Sequence, residues 1–252
     1  MKSRRLEEMN QYITEHGFAG MDELQTVFGV SINTIRRDVA ELIVEGKVQK
    51  VYGGVRSKGP ALIPYEIRSS DASHLKEMIG LRAASFVREG DIIFIDSGTT
   101  TLWMMEALKN KENITIVTNN IEVMFRALEQ TNIRLIVLPG ELHRKTHSLT
   151  GEETVQDLAR FNIHTAFMAA TGISENGVTN SSPMEYEIKK MAIERSRRTV
   201  LMVTGDKFGV TSLLTYAGLD DLDTVITDSS MPDRYRHLLT ERGIQWIEAD
   251  KN

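Results

Sequence analysis

Asp96, Ser97, Gly98, Thr99, Thr100 and Thr101 stand together in the stretch Ile92–Leu108, IIFIDSGTTTLWMMEAL. The apolar run Ile92–Ile95 has the length and content of a buried strand, and Leu102, Met105 and Leu108 recur at helical spacing. Asp96, Ser97 and Gly98 break the strand, and the three threonines open the helix. A strand that turns through small hydroxyl residues into a helix forms an anion site. The first helical N–H groups lack intrahelical acceptors, and the helix dipole is positive there. Four hydroxyls add donors, and Gly98 lets a ligand approach the backbone. No Lys-Ser/Thr pair follows a second glycine, so this is not a Walker loop. A plain N-cap accounts for one or two hydroxyls. Four point to a pocket for a small phosphorylated molecule.

More polar residues follow other apolar runs. Asn119 sits in Thr118-Asn119-Asn120, which also reads as a helix cap. The loop PGELHRKTHSLTG carries Arg144, Lys145 and Ser148, and ATGISENGVTNSSPMEYEIKK carries Gly172, Asn180 and Glu185. In TGDKFG, Lys207 stands where a phosphate counter-charge is wanted. His143 and His147 have the spacing of one helix face, but they flank Arg144 and Lys145, lack an intervening Glu and fall in a loop. No metal site is expected from them. No G-x-S-x-G elbow is present, and no catalytic residue or cofactor is assigned. Trp103, Met104, Met105 and Phe125 read as core.

A second chemistry lies near the N-terminus. Leu6, Met9 and Ile13 mark a helix that Gly17 ends, and Asp22 is placed to cap a short helix with Leu24, Val27 and Phe28. After Gly29-Val30, Ser31 caps SINTIRRDVAELIVEG, whose buried stripe is Ile35, Val39, Leu42 and Ile43. Two short helices joined at a glycine form a helix-turn-helix. The second presents Ser31, Asn33, Thr34, Arg36 and Arg37 near its N-terminal end, where a recognition helix meets base edges. Asn reads adenine, Arg reads guanine, and Ser and Thr suit phosphates. In KVQKVYGGVRSKG two short strands turn at Gly53-Gly54. No acidic residue lies between Gly46 and Tyr65, so Lys47, Lys50 and Arg56 form a basic wing laid along a DNA backbone.

The elements that position these residues follow from pattern. The chain has 252 residues, no cysteine and a net charge of −5. Disulfides and thiolate metal sites are excluded, and a reducing cytoplasm is the expected location. No 18-residue apolar run and no signal-peptide core occur, so no membrane partner is expected. Residues 1–58 carry +1 and the remainder −6. The expected organisation is a DNA-binding domain over 1–57, a linker over 58–73 and a second domain, which holds the anion pocket, over 74–252. Strands are expected at Ile92–Asp96, Ile114–Thr118, Arg134–Leu138, Ala166–Ala169, Val200–Val203, Thr224–Thr227 and Ile244–Ile247. Helices are expected at His74–Arg88, Ile121–Gln130, Pro183–Arg197 and Pro232–Glu241. This alternation predicts an α/β fold with a mainly parallel sheet, whose ligands bind at the carboxyl ends of the strands.

The run VSINTIRRDVAELIVEGKVQKVYGGV resembles the winged helix of the DeoR family of bacterial transcriptional regulators. TIRRD at Thr34–Asp38 and Gly53-Gly54 match its signature, and the resemblance continues through SGTTT and the later loops over essentially the whole chain. It implies a C-terminal sensor related in fold to ribose-5-phosphate isomerase, which binds a sugar phosphate and controls DNA affinity. Residue by residue, it implies that Ser97–Thr101 are the phosphate loop, Arg144, Ser148 and Gly151 a basic loop, Glu185 an acidic position and Lys207 a late lysine. One departure stands out. The family's Asp-x-Ser-Lys-Phe-Gly run is Thr204-Gly205-Asp206-Lys207-Phe208-Gly209 here, which puts a carboxylate beside Lys207. IDSGTTT, EYEIKK and KFGVTSLLTYA resemble the inositol-catabolism repressor branch of the family. The expected function is a repressor of a carbohydrate-catabolic operon, with double-stranded operator DNA and a sugar phosphate as partners, acting as a homodimer or homotetramer. The rival is a sugar-phosphate isomerase with an appended DNA-binding domain and Glu185 as general base.

Overall fold

The computed structural model describes residues 2–57 and 62–250. The chain divides into two compact units, Met1–Asp71 and Ala72–Asn252.

The first unit contains α1 (Lys2–His16), β1 (Phe18–Gly20), α2 (Met21–Phe28), α3 (Ile32–Val44), β2 (Val48–Val51), β3 (Gly54–Ser57) and α4 (Tyr65–Ser70). Its core joins Leu6, Met9 and Ile13 of α1 to Leu24, Ile35, Val39, Leu42, Val48 and Val55. Gly29 ends α2 in the left-handed conformation at φ 62°, which glycine adopts without a Cβ penalty. Ser31 then caps α3 by accepting the Thr34 N–H at 3.3 Å. Asp38 is wholly buried and accepts a bond from Arg5 Nε at 2.7 Å, which fastens α1 to α3.

Three details depart from the sequence reading. β1 pairs antiparallel with β3, so the wing is a three-stranded sheet in the order β1-β3-β2. Three residues are too few to show a strand period. Gly20, not Asp22, is the N-cap of α2, and Glu23 Oε2 accepts the Gly20 N–H at 3.0 Å. In the expected linker, 58–61 lie outside the described residues, and Tyr65–Ser70 form α4. Tyr65 is buried there, and the Arg68 guanidinium lies 5.5 Å from its ring centroid.

The second unit contains α5 (Ser73–Ala84), β4 (Ile92–Ile95), α6 (Met104–Leu108), β5 (Ile114–Thr118), α7 (Ile121–Ala127), β6 (Ile133–Val137), β7 (Glu141–His143), β8 (Ser148–Thr150) and α8 (Glu152–Leu158). It continues with β9 (Thr165–Met168), β10 (Gly172–Ser174), β11 (Gly177–Asn180), α9 (Pro183–Glu194), β12 (Thr199–Met202), β13 (Leu214–Ala217), β14 (Thr224–Thr227), α10 (Asp233–Glu241) and β15 (Gln245–Glu248). Seven strands form one sheet in the order β15-β14-β12-β9-β4-β5-β6, with every pairing parallel. Phe94, Val117, Ala166, Met168, Leu201 and Val225 lie in its core, as expected of a parallel sheet covered on both faces.

All seven expected strands belong to this sheet. From β4 the chain winds outward through β5 to β6. From β9 it winds the other way through β12 and β14 to β15. The direction reverses between β4 and β9, and such a switch point opens a crevice at the carboxyl ends of the two strands. Two expected loops are instead structured. β7 and β8 form a hairpin, and β10, β11 and β13 form a small antiparallel sheet. These strands are three or four residues long, too short to show a period. α5 ends at Ala84, earlier than the expected Arg88.

Candidate functional site

The first unit carries the DNA-binding candidates. Asn33, Arg36 and Arg37 are exposed on α3, while Ile35 and Asp38 turn inward. Arg36 and Arg37 make no hydrogen bond or ion pair among the described residues. Ser31 and Thr34 engage each other at 2.9 Å between hydroxyls, so both help to form the helix start. Lys47 and Lys50 are exposed. The Lys47 ammonium lies 2.8 Å from Glu45 Oε2. Arg56 departs from the expectation of a backbone-facing wing residue. It is buried, with Nη1 2.8 Å from Asp71 Oδ2 and Nε and Nη2 both donating to Gln49 Oε1. β3 is the central strand of its sheet, which is why its side chain is covered.

The second unit gathers its polar residues at the switch point. Asp96 follows β4, and Ala169 follows β9. Asp96 Oδ2 accepts the Ala169 N–H at 2.9 Å and also pairs with the ammonium of Lys189 on α9. Lys189 Nζ donates to the Ala169 carbonyl at 3.0 Å as well, and Tyr216 OH donates to that same carbonyl at 2.9 Å. The Lys189 ammonium lies 5.2 Å from the Tyr216 ring centroid. Burial, followed by the charges of Asp96 and Glu185, pushes the Tyr216 phenol well above its ordinary pKa, so it stays a donor. The backbone of one residue, Ala169, thus ties together the ends of β4 and β9, helix α9 and strand β13.

Beside this clasp lies Glu185, 4% exposed. Its carboxylate accepts bonds from Ser97 Oγ, from Ser148 Oγ at 3.1 Å and from Asn180 Nδ2 at 3.4 Å. Ser148 also meets Thr146 Oγ1 at 2.7 Å, which meets His143 Nδ1 at 2.7 Å.

The hydroxyl loop is more differentiated than its sequence. Helix does not begin at Thr99. Thr99 and Thr100 form a turn, Thr101–Trp103 a single 3-10 turn, and α6 only Met104–Leu108. So short a helix has little dipole to offer. Thr101 Oγ1 donates within the loop, to the carbonyls of Asp96 at 2.7 Å and Gly98 at 2.9 Å. Ser97 Oγ is engaged with Glu185. The hydroxyls of Thr99 and Thr100 make no hydrogen bond among the described residues, and the backbone N–H groups of Ser97, Gly98, Thr99 and Thr100 have no acceptor there. Successive unpaired N–H groups of this kind form an anion-binding concavity. Gly98 answers to packing rather than to ligand access, since a Cβ there would lie 2.2 Å from the Ala169 Cβ.

The other candidates are spread around this centre. Asn119 is buried, with Nδ2 donating to the Leu149 carbonyl at 3.0 Å and Oδ1 unpartnered. Arg144 is exposed in the turn between β7 and β8. A Cβ on Gly172 would lie 2.2 Å from the Val210 carbonyl oxygen, so that glycine permits a close backbone approach. Lys207 Nζ donates to Asp206 Oδ2 at 2.9 Å, so the carboxylate of the altered motif does engage the lysine. Among the described residues no group of three or more His, Asp or Glu is arranged to hold a metal ion. A shallow depression of about 430 Å³, lined by Asn113, Thr115, Asn132 and Arg134, lies at the amino-terminal ends of β5 and β6. That edge of the sheet is opposite the polar cluster.

A DeoR-like helix-turn-helix domain matches residues 5–60, and a DeoR C-terminal sensor domain matches residues 71–229. The chain belongs to the DeoR family. It is 41% identical over 246 residues to the HTH-type transcriptional regulator IolR of Bacillus subtilis strain 168, covering 97% of this chain and 98% of that protein. It is 30% identical over 237 residues to the glycerol-3-phosphate regulon repressor of Escherichia coli K12, covering 93% and 94%. Among solved structures it is similar to a D-ribose-5-phosphate isomerase in complex with phospho-erythronic acid, at 16% identity and a TM-score of 0.41 over 54% of each chain. That likeness is too slight to bear on function. No helix among the described residues is long and apolar enough to cross a membrane.

Lys189, Ser182 and Tyr216 join the DeoR sensor cluster without having been singled out from sequence, and Asn180, noted there among the polar residues, joins it through Glu185. For Lys189 a signal existed. Glu185, Ile188, Lys189 and Ala192 are the buried residues of α9, at i, i+3, i+4 and i+7. Two charged residues in the apolar stripe of a helix mark a buried polar site. Read alone, a Glu and a Lys four apart pass for a solvated surface pair.

Proposed function

We propose that this DeoR-family regulator represses a carbohydrate-catabolic operon and that a sugar phosphate, held at Ser97–Thr101, sets its affinity for DNA. The N-terminal unit binds double-stranded operator. Asn33, Arg36 and Arg37 of α3 read the major groove, and Lys47 and Lys50 lie along the phosphates. The resemblance to the inositol-catabolism branch and the match to IolR favour a polyol or sugar operon. The protein acts as a homodimer or homotetramer, each pair of recognition helices meeting a two-fold operator.

One observation carries the effector reading: the run of unpaired N–H groups from Ser97 to Thr100, beside the free hydroxyls of Thr99 and Thr100, at the switch point of the sheet. The ligand shifts the sensor between two states, and a coupling of about 1–3 kcal/mol changes DNA affinity about 5–150-fold. The test is a thermal-shift panel of sugar phosphates, with each hit titrated by calorimetry and repeated in an operator-binding assay. Hydrogen bonds to a charged group contribute about 1.5–3 kcal/mol, so Thr100→Ala weakens effector binding by roughly one to two powers of ten. Unaltered affinity in that variant removes the phosphate-loop assignment. The rival isomerase reading predicts turnover of ribose 5-phosphate, and a coupled assay with the full chain is expected to show none.

A further inference from the structure

We infer that His143 and the buried Glu185 are the two ends of one proton-conducting chain of hydrogen bonds, through which a half-buried imidazole sets the charge held at the switch point. The two histidines of the hairpin have separate partners. His147 Nδ1 pairs with Glu122 Oε1 of α7 at 2.7 Å, whereas His143 leads through two hydroxyls to α9.

His143 Nδ1 lies 2.7 Å from Thr146 Oγ1, Thr146 Oγ1 lies 2.7 Å from Ser148 Oγ, and Ser148 Oγ donates to Glu185 Oε1 at 3.1 Å. The hairpin register makes this possible. His143 and Ser148 are cross-strand partners of β7 and β8, and such side chains share one face of the pair. Thr146 and Ser148 are 1% and 0% exposed, so water does not compete for their hydroxyls. A hydroxyl has one proton to donate, which gives the chain a direction. With Glu185 ionised, Ser148 donates to it, Thr146 donates to Ser148, and the His143 Nδ1–H donates to Thr146. With Glu185 protonated, every bond reverses, Nδ1 accepts, and the ring proton sits on Nε2. Thr146 Oγ1 also approaches the His143 carbonyl at 3.3 Å. A proton placed there leaves the 2.7 Å contact with Ser148 without one when Glu185 is ionised.

When the ring is also protonated, a shift along the chain converts the first arrangement into the second. The imidazolium gives its Nδ1 proton to Thr146, Thr146 passes its own to Ser148, and Ser148 passes its own to Glu185 Oε1. No proton is gained or lost, and an imidazolium with a carboxylate becomes a neutral ring with a neutral acid. The chain supplies what the direct partners of Glu185 lack, since they are two hydroxyls and an amide with no cation among them. The other charged groups of the hairpin, Glu141, Arg144 and Lys145, are exposed. The elements packed on it add Glu122, which His147 takes, the exposed Glu152 and Glu153 of α8, and Lys189 of α9, which Asp96 holds. None of these enters the chain. On the proposed effector reading, a phosphate against Ser97 repels a charged Glu185, to which Ser97 donates, and so drives the proton inward from His143.

The experiment is nuclear magnetic resonance of the full chain, isotope-labelled at the histidine ring nitrogens, with the His143 signals assigned from His143→Gln. At alkaline pH, where the rings are neutral, Nδ1 of His143 is expected to carry the proton, because an ionised Glu185 demands a donor there. Thr146→Val and Ser148→Ala each cut the chain. Each is expected to return His143 to the Nε2–H form that a free neutral imidazole prefers, and a melt of each checks that the sensor is folded. A neutral His143 with its proton on Nε2 in the unaltered chain overturns the inference, as does an Nδ1–H form that survives in either folded variant. Inorganic phosphate is then titrated near neutral pH while the His143 ring and the Thr100 backbone N–H are followed together. Both are expected to respond, the ring moving toward its neutral Nε2–H form, and Thr146→Val is expected to abolish the ring response alone. If Thr100 responds and His143 does not, the charge switch is overturned. If Thr100 does not respond, the phosphate reading falls, while the chain stands or falls with the tautomer.

Discussion

Deleting the Lys189 ammonium tests whether the clasp at the switch point holds the sensor together. Lys189→Ala leaves Asp96, 1% exposed, with the Ala169 N–H at 2.9 Å and a long 3.4 Å bond from Ser97 Oγ. The Ala169 carbonyl keeps the Tyr216 hydroxyl and loses its other donor. Breaking a buried pair by removing one partner costs about 3–5 kcal/mol, because a desolvated charge is left without its counter-ion. For a unit of this size each kcal/mol moves Tm by about 2–4 °C, so the sensor transition falls by about 6–20 °C. Scanning calorimetry of the full chain, with urea unfolding at one temperature, measures both quantities. The companion is Asp96→Asn combined with Lys189→Met, which removes both charges and keeps the volumes. It is expected to recover at least half of the loss, since buried ion pairs often exchange for neutral groups at little cost. The reasoning is refuted if Lys189→Ala costs less than about 1 kcal/mol, the ordinary cost of a point substitution. It is equally refuted if the neutral double variant is no more stable than the single one, because the damage would then lie in packing.

Four further outcomes are expected. Arg36→Ala with Arg37→Ala loses about 2–6 kcal/mol of specific operator binding, at least about 25-fold, while the exposed substitutions change stability by no more than about 0.5 kcal/mol; anisotropy titrations and a melt check this. Lys50→Ala lowers the salt slope of log affinity by about 1 for any DNA. Arg56→Ala leaves that slope unchanged and instead costs about 1–3 kcal/mol of folding stability, because Gln49 and Asp71 lose their donor; a reduced slope there would return Arg56 to the DNA surface. Gly98→Ala, whose Cβ would stand 2.2 Å from that of Ala169, costs about 1–3 kcal/mol in urea unfolding, and Ala169→Gly in the same chain relieves it.

The parts of this protein legible from residues alone are those encoded over short spans. The seven strands of the main sheet show as largely apolar runs because a parallel sheet is covered on both faces, with charged residues entering at the edge strands β6 and β15. Helix α3 shows because its cap, its stripe and its exposed Arg36 and Arg37 all lie within about three turns, where helical periodicity governs. The hydroxyl loop shows because a strand-to-helix turn is local.

What tertiary structure alone decided is how side chains distant in sequence divide the work. SGTTT reads as four equivalent donors. Folding engages Ser97 with Glu185, 88 positions away, and Thr101 with its own loop carbonyls, leaving Thr99 and Thr100 free. Gly98 reads as room for a ligand. Its reason is Ala169, which reaches it only because β4 and β9 are neighbours in the sheet. Arg56 reads as one more wing cation, yet β1 closes over the far side of β3 and makes its strand central. Lys189 reads as half of a surface pair, and becomes the counter-ion of Asp96 because the winding of the sheet reverses at that point. Hydrogen bonds and desolvation depend on which groups meet, and strand order, which no local pattern encodes, determines which groups those are.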